Sequence, residues 1–227
     1  MAISVPDSTP LVLLGGTFDP VHAGHLRLAM EIADALPDAA IRLLPCQLPV
    51  HKAAAGASVE QRLAMLEHAI ADEPRLNIDT QELDRDTPSY TILTLEATRQ
   101  RIGCERPLFW VIGMDSLVNL PSWQRWQEMT DFCHLLVIAR PGWHWPESGE
   151  AADWLKHHGV SELSDGFSDS HGQILTLTMP TLQVSATYIR QLIGQGRSPR
   201  YLIPDSVWNF IQQQQLYAGA HQGVQEK

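Results

Sequence analysis

Cysteine is scarce in this sequence. Cys46, Cys104 and Cys133 are the only three in 227 residues. They are too few and too scattered for a disulfide framework, and no Cys-x-x-Cys spacing offers a structural zinc site. A reducing compartment is the expectation. Long apolar runs are missing as well. Stretches such as Leu11–Leu14 and Leu135–Ala139 fall far short of the roughly 20 residues that a membrane-spanning helix needs. Met1 to Pro10 has neither a basic n-region nor an apolar h-region, so no export signal is read there. The chain is expected to be soluble and cytoplasmic, with no membrane partner. Basic residues are in deficit: 16 Lys and Arg stand against 26 Asp and Glu, a formal charge of −10 with neutral His. That balance argues against a nonspecific DNA or RNA binder, whose affinity comes mainly from pairing phosphates with Lys and Arg. No nucleic-acid partner is expected, although a small phosphorylated ligand stays open. Two familiar nucleotide signatures are absent too, the GxGxxG fingerprint and the GxxxxGK(S/T) P-loop.

What is present is an alternation of short apolar runs and amphipathic segments. Leu11–Leu14, ended by Gly15-Gly16, reads as a buried strand. Gly24 to Leu36 has helical spacing, with Leu26, Ala29, Met30, Ala33 and Leu36 on one face and Pro37 as the stop. Ile41–Leu44 is a second strand, followed by a loop from Pro45 to Ala57. Ser58 to Gln61 has capping-box spacing and should open a helix to about Ala71. Leu76–Asp79 reads as a strand. Tyr90 to Ile102 reads as a helix capped near Ser89 and closed by Gly103. Strands are expected at Pro107–Ile112, Cys133–Ala139 and Ile174–Thr178. Helices are expected at Trp123–Met129, Glu150–His158, Ser185–Ile193 (stopped by Gly194) and Asp205–Gln214. This order predicts an α/β fold of Rossmann-like, doubly wound type, a mostly parallel sheet covered by helices on both faces. The expected organisation is a flexible N-terminus over 1–10, one domain over 11–217 whose part 185–217 is a small helical C-terminal subdomain, and a flexible tail over 218–227.

The end of the first strand carries the first chemical motif, Gly15-Gly16-Thr17-Phe18-Asp19-Pro20-Val21-His22-Ala23-Gly24-His25. Glycines without Cβ let a nucleotide approach the backbone. The helix opening near His22–Gly24 offers unpaired N–H groups and a positive dipole end. His22 and His25, three residues apart, share a face of the first turn and can present N–H groups to phosphate oxygens. Taken alone, the pair reads equally as two surface histidines, and imidazole is also a common zinc ligand. The second motif is Val184-Ser185-Ala186-Thr187-Tyr188-Ile189-Arg190. Here an N-cap serine precedes an arginine whose planar fork suits a phosphate. By itself this is an ordinary capped helix.

Together the two strings resemble the nucleotidylyltransferase superfamily. The first is similar to its (H/T)xGH motif and the second to the (I/V)S(S/A)TxxR element of the mononucleotide adenylyltransferases. Pro49-Val50-His51-Lys52 looks like the PPHK loop of the nicotinate-preferring bacterial branch, with Val50 where Pro is usual. Asp86 to Leu95 looks like its PSYTxxTL segment, and Gly113 to Leu117 with Pro121-Ser122-Trp123 like its GxDxLxxxPxW segment. Arg140-Pro141-Gly142 and the stretch from Tyr201 to Tyr217 also fit, so the resemblance spans about residues 11–217.

The resemblance implies transfer of AMP from ATP to the 5′-phosphate of nicotinate mononucleotide, as part of NAD biosynthesis. It implies that His22 and His25 bind the ATP phosphates, with Arg190 and Ser185 on the leaving pyrophosphate. Gly15, Gly16, Thr17 and Phe18 would line the phosphates. Lys52 would reach a phosphate or stay a solvated loop residue. Asp115, beyond Gly113, would accept from a ribose or cap a helix. Trp123 would stack on the pyridine ring or belong to the core, a place that Trp126 could take instead. Thr91 and the backbone around Gln124 would meet the nicotinate carboxylate. The family often has an aromatic residue where Gln124 stands. Magnesium is implied, carried mainly by the ATP phosphates, with no metal ligands assigned to the protein. The oligomer is expected to be a monomer or homodimer. His68, His134, His144, His157, His158 and His171 match no motif and read as surface or core residues. Trp143 and Trp145 would cover the site or meet a neighbouring subunit. The rival classes are phosphopantetheine adenylyltransferases, cytidylyltransferases, class I aminoacyl-tRNA synthetase-like enzymes and a nucleotide-binding regulator without turnover.

Overall fold

The computed structural model describes residues 8–47, 56–85, 88–139, 145–180 and 182–218. Its strands are β1 (Leu11–Gly16), β2 (Ala40–Pro45), β3 (Leu76–Ile78), β4 (Leu108–Gly113), β5 (His134–Ala139), β6 (Ser161–Glu162) and β7 (Ile174–Thr178). Its helices are α1 (Ala23–Ala35), α2 (Val59–Ile70), α3 (Thr91–Ile102), α4 (Met114–Val118), α5 (Glu150–His158), α6 (Ala186–Gly194) and α7 (Asp205–Gln213). The strands form one sheet in the order β3-β2-β1-β4-β5-β7-β6, and every recorded pairing is parallel. The order in which strands are added to the sheet reverses between β1 and β4, which makes that junction the topological switch point.

Alternation along the strands divides the core in two. Val12, Leu14, Ile41, Leu43, Phe109 and Val111 join the cluster under α1, α2, α6 and α7. Leu11, Leu13, Leu44, Leu108, Trp110 and Ile112 join the cluster under α3, α4 and α5. A buried parallel sheet has both faces covered, so its strands read as unbroken apolar runs. The C-terminal helices α6 and α7 insert Ile189, Val207 and Ile211 into the first cluster, so they brace the sheet directly. Among the described residues no helix is long and apolar enough to cross a membrane.

Several ends form as local chemistry dictates. Ser58 closes a capping box with Gln61, and Gly103 caps α3 with φ 80°. Others differ from the sequence expectation. Ser89 does not cap α3: its hydroxyl accepts from the Gln47 N–H at 3.1 Å, and Tyr90 is the N-cap residue. Helix α6 runs through Gly194 and stops later, where Gly196 (φ 70°) allows its own N–H to reach the Ile193 carbonyl and the Arg197 N–H to reach Leu192. The helix expected over Trp123–Met129 does not form as such. Trp123 is extended, Arg125 is left-handed (φ 51°), and a 3-10 helix covers Trp126–Asp131. A left-handed residue interrupts a right-handed helix; the Arg125 side chain makes exposed ion pairs to Glu128 and to Glu96 at 2.8 Å.

His134 is a core residue. Its Nε2–H donates to the Asp169 carbonyl at 2.8 Å, while Nδ1 accepts the Gln173 N–H at 3.1 Å. This is the neutral tautomer with both nitrogens used, and burial pushes the imidazole below its ordinary pKa. Below about pH 6.5 the unfolded chain takes up a proton that the native state refuses, so stability falls as pH falls from there. The urea midpoint should therefore drop between pH 7.5 and 5.5, and His134→Gln should reduce the slope by up to about 1.4 kcal/mol per pH unit. An identical slope in both proteins would assign the acid sensitivity elsewhere.

Candidate active site

Strands β1 and β4 pair only as far as Leu13 and Trp110, yet each continues for three residues. Their carboxyl ends therefore part and open a cleft of about 700 Å³. Gly15 and Gly16 form one wall. A Cβ on Gly15 would lie 2.9 Å from the Trp110 ring, and one on Gly16 would lie 2.9 Å from the Phe18 ring. These glycines thus admit aromatic packing from below as well as close approach from above. Gly113, at the end of β4, is exposed to the cleft, and a Cβ there would meet nothing within 4 Å.

His22 is the N-cap residue of α1, with extended backbone, and the His25 N–H bonds back to its carbonyl at 2.9 Å. The two imidazoles stack, with ring centres 3.6 Å apart and planes 19° from parallel. His22 is buried, while His25 is half-buried and meets the Phe18 ring edge-on at 4.9 Å. Gly24 leaves room for this stack, because a Cβ would come within 3.0 Å of His22 Nδ1. The pair sits at the N-terminus of α1, whose positive dipole end favours an anion. Across the cleft, the Ser185 hydroxyl accepts the Tyr188 N–H at 3.2 Å and caps α6. That places Arg190, a half-buried residue, on the cleft wall.

The structure thus brings Gly15, Gly16, Thr17, Phe18, His22, His25, Gly113, Ser185 and Arg190 to one cavity. Thr91, Asp115, Trp123 and Gln124 do not line it. Asp115 is exposed in the first turn of α4, where Gly113 is the N-cap residue. The aspartate therefore does not serve as the helix cap. Trp123 is half-buried against the second core cluster, and Trp126 is the fully packed tryptophan, edge-on to Trp154 at 5.3 Å. Thr91 opens α3, and Gln124 is exposed. Lys52, the whole segment Pro49 to Lys52, Arg140 to Gly142 and Trp143 lie outside the described residues.

Asp19, Tyr217, Arg62 and Glu82 were not singled out by the sequence patterns. Asp19 is only 4% exposed. Its carboxylate accepts N–H bonds from Gly56 (2.7 Å) and Ala57 (3.2 Å) and a hydroxyl from Tyr217 (2.6 Å). Arg62, 1% exposed, donates to the carbonyls of Thr17 at 2.8 Å and Gln47 at 3.1 Å, tying the ends of β1 and β2 to α2. The buried Glu82 accepts the Thr94 hydroxyl at 2.5 Å beneath the Pro88–Thr91 segment, and burial pushes its carboxyl above the ordinary range. Arg62 carried a readable signal: with Met65 and Leu66 it makes the i, i+3, i+4 stripe that α2 buries.

An open parallel sheet with a glycine-walled, histidine-capped crevice at its switch point defines a nucleotide-binding α/β protein built to hold phosphates. A family model described as cytidylyltransferase-like matches residues 13–192. A Hahella chejuensis protein named "Probable nicotinate-nucleotide adenylyltransferase" is 44% identical over 95% of this chain and 99% of its own. One of the same name from Aeromonas hydrophila is 47% identical over 93% and 98%. The solved Plasmodium falciparum nicotinic acid mononucleotide adenylyltransferase complexed with NaAD superposes with a TM-score of 0.68 at 17% identity. That match covers 92% of this chain and 97% of the other, a likeness that shows the fold. The chain belongs to the nicotinate-nucleotide adenylyltransferase family, within the cytidylyltransferase-like proteins.

Proposed function

We propose that the cleft moves AMP from ATP onto the 5′-phosphate of nicotinate mononucleotide, yielding deamido-NAD and pyrophosphate. A phosphate oxygen of the mononucleotide forms the new bond to the ATP α-phosphorus as the bond from that phosphorus to the pyrophosphate oxygen breaks. The nucleophile is already an anion at neutral pH, so no general base is required. Alignment and charge neutralisation carry the rate. The observation that supports this most directly is the stacked His22–His25 pair at the N-terminus of α1, facing Arg190 across the cleft. His25, with His22 behind it, stabilises charge on the α-phosphate. The backbone from Gly15 to Phe18 lines the phosphates. Ser185 and Arg190 receive the departing pyrophosphate, and Lys52 adds a further positive charge.

Outside the cavity walls and beyond Gly113, Asp115 accepts from a ribose hydroxyl, the open side of Trp123 stacks on the pyridine ring, and Thr91 with the backbone at Gln124 meets the carboxylate. Magnesium enters as part of the ATP substrate. Among the described residues no three His, Cys, Asp or Glu side chains converge as a metal site, and the Asp19 carboxylate in the cleft is already bonded to donors. A cytoplasmic location and a reaction free of nucleic acid complete the reading.

The test is pyrophosphate release from ATP and Mg²⁺ with nicotinate mononucleotide, nicotinamide mononucleotide or phosphopantetheine as acceptor. Turnover should be fastest with the first, and activity with phosphopantetheine alone would overturn the reading. Trp123→Ala should raise KM for the mononucleotide by the equivalent of about 1–3 kcal/mol of lost stacking, with kcat little changed. An unaltered KM would restrict Trp123 to the core.

A further inference from the structure

The arginine that faces the leaving group is held by a part of the chain that touches no substrate in the reading above. Arg190 donates from Nη1 to the backbone carbonyl of Asp19 at 2.6 Å, and from Nη2 to the Thr187 hydroxyl at 3.4 Å. The same Nη1 lies 3.6 Å from Asp19 Oδ2. A carboxylate that close to a guanidinium commonly takes it in a two-pronged pair, which would draw both forward nitrogens away from a ligand. Here the carboxylate is otherwise engaged. Oδ2 accepts the Gly56 N–H, and Oδ1 accepts the Ala57 N–H and the Tyr217 hydroxyl. Three uncharged donors thus fill most of its roughly four acceptor sites.

The backbone is shaped to deliver Tyr217. Beyond α7, Gln215 and Tyr217 are both left-handed, with φ of 51° and 61°, a conformation unfavourable for L-residues unless packing holds it. Leu216 between them is buried. The Tyr217 ring then lies against Gly56, where a Cβ would come within 3.1 Å of the ring and 3.5 Å of the Arg190 Cδ. Burial, followed by the nearby Asp19, pushes the phenol far above its ordinary range, so it stays a proton donor.

We propose that Tyr217 and Asp19 are positioning residues for Arg190: Asp19 anchors Nη1 through its carbonyl and Oδ2, while Tyr217, by occupying Oδ1, blocks a second prong that would draw the rest of the guanidinium away from the phosphates. This rests on the reading of Arg190 as a ligand of the ATP phosphates.

The experiment is a double-mutant cycle of Tyr217→Phe and Arg190→Ala, with Arg190→Lys as a second background in case the alanine variant folds poorly. It is read both on Mg·ATP binding by calorimetry and on turnover. Tyr217→Phe should weaken Mg·ATP binding and lower kcat by roughly tenfold, the size of a lost hydrogen bond to a charged group. KM for nicotinate mononucleotide should stay put, and the substitution should cost nothing more where Arg190 is already gone. The same loss in both backgrounds would make Tyr217 a merely structural residue and overturn the proposal, as would wild-type ATP binding by Tyr217→Phe. If the cycle couples in ATP binding while no variant, nor the parent, turns over nicotinate mononucleotide, the positioning role stands and the assigned reaction falls.

Discussion

Alanine at position 25 is expected to lower kcat by about 10²–10³-fold, the cost of removing one preorganised donor from a site where charge develops. KM for ATP should rise far less, because in the proposed reading backbone amides, His22 and Arg190 would still bind the phosphates. The geometry makes His25 the more telling of the pair. His22 is buried and braces the stack, whereas His25 is half-buried between His22 and the edge of Phe18 and lines the cleft. The ring supports little of the core, so the thermal midpoint should move by only a few degrees, matching a loss of about 1 kcal/mol or less. Near-normal turnover by a folded His25→Ala protein would remove the histidine from the reacting centre.

The second large effect is on stability. Asp19→Ala should destabilise the fold by about 3–5 kcal/mol, the range for breaking a buried charged network from one side. The substitution leaves the amides of Gly56 and Ala57 and the Tyr217 hydroxyl without their acceptor, and the Arg190 guanidinium without its nearest described carboxylate. Each orphaned buried donor carries its own desolvation cost. The same atoms tie together the β1 turn, the start of α2 and the end of α7, so the unfolding transition should stay single and move to lower urea. A shift below about 1 kcal/mol would mean that water replaces the carboxylate and that the network contributes little.

Much of this was legible beforehand because it depends on neighbours in sequence. The Ser58–Gln61 box, the Gly103 cap and the span of Glu150–His158 follow from side chains three or four residues apart, and each formed where expected. His22 and His25 were readable for the same reason, since a helix start brings positions i and i+3 onto one face. Trp123–Met129 went astray because its apolar spacing resembles a helix. The left-handed residue at Arg125 breaks that helix, and no periodicity announces it. Ser89 has the residue type of a cap, yet its hydroxyl bonds the amide of Gln47, which comes from the end of β2.

The sequence by itself determined the alternation of strand and helix, hence a parallel sheet, and the two motifs that open α1 and α6. Those features are written in periodicity, glycine placement and capping residues, which act within a turn or two of the chain. Only the tertiary structure decided how far β1 and β4 part, which tryptophan packs into the core, and what holds Arg190. A single Asp, Arg or Tyr looks the same in a string of letters whether solvated or buried. Asp19, Arg62 and Tyr217 acquire their roles because folding removes them from water and leaves each with partners up to 198 residues away.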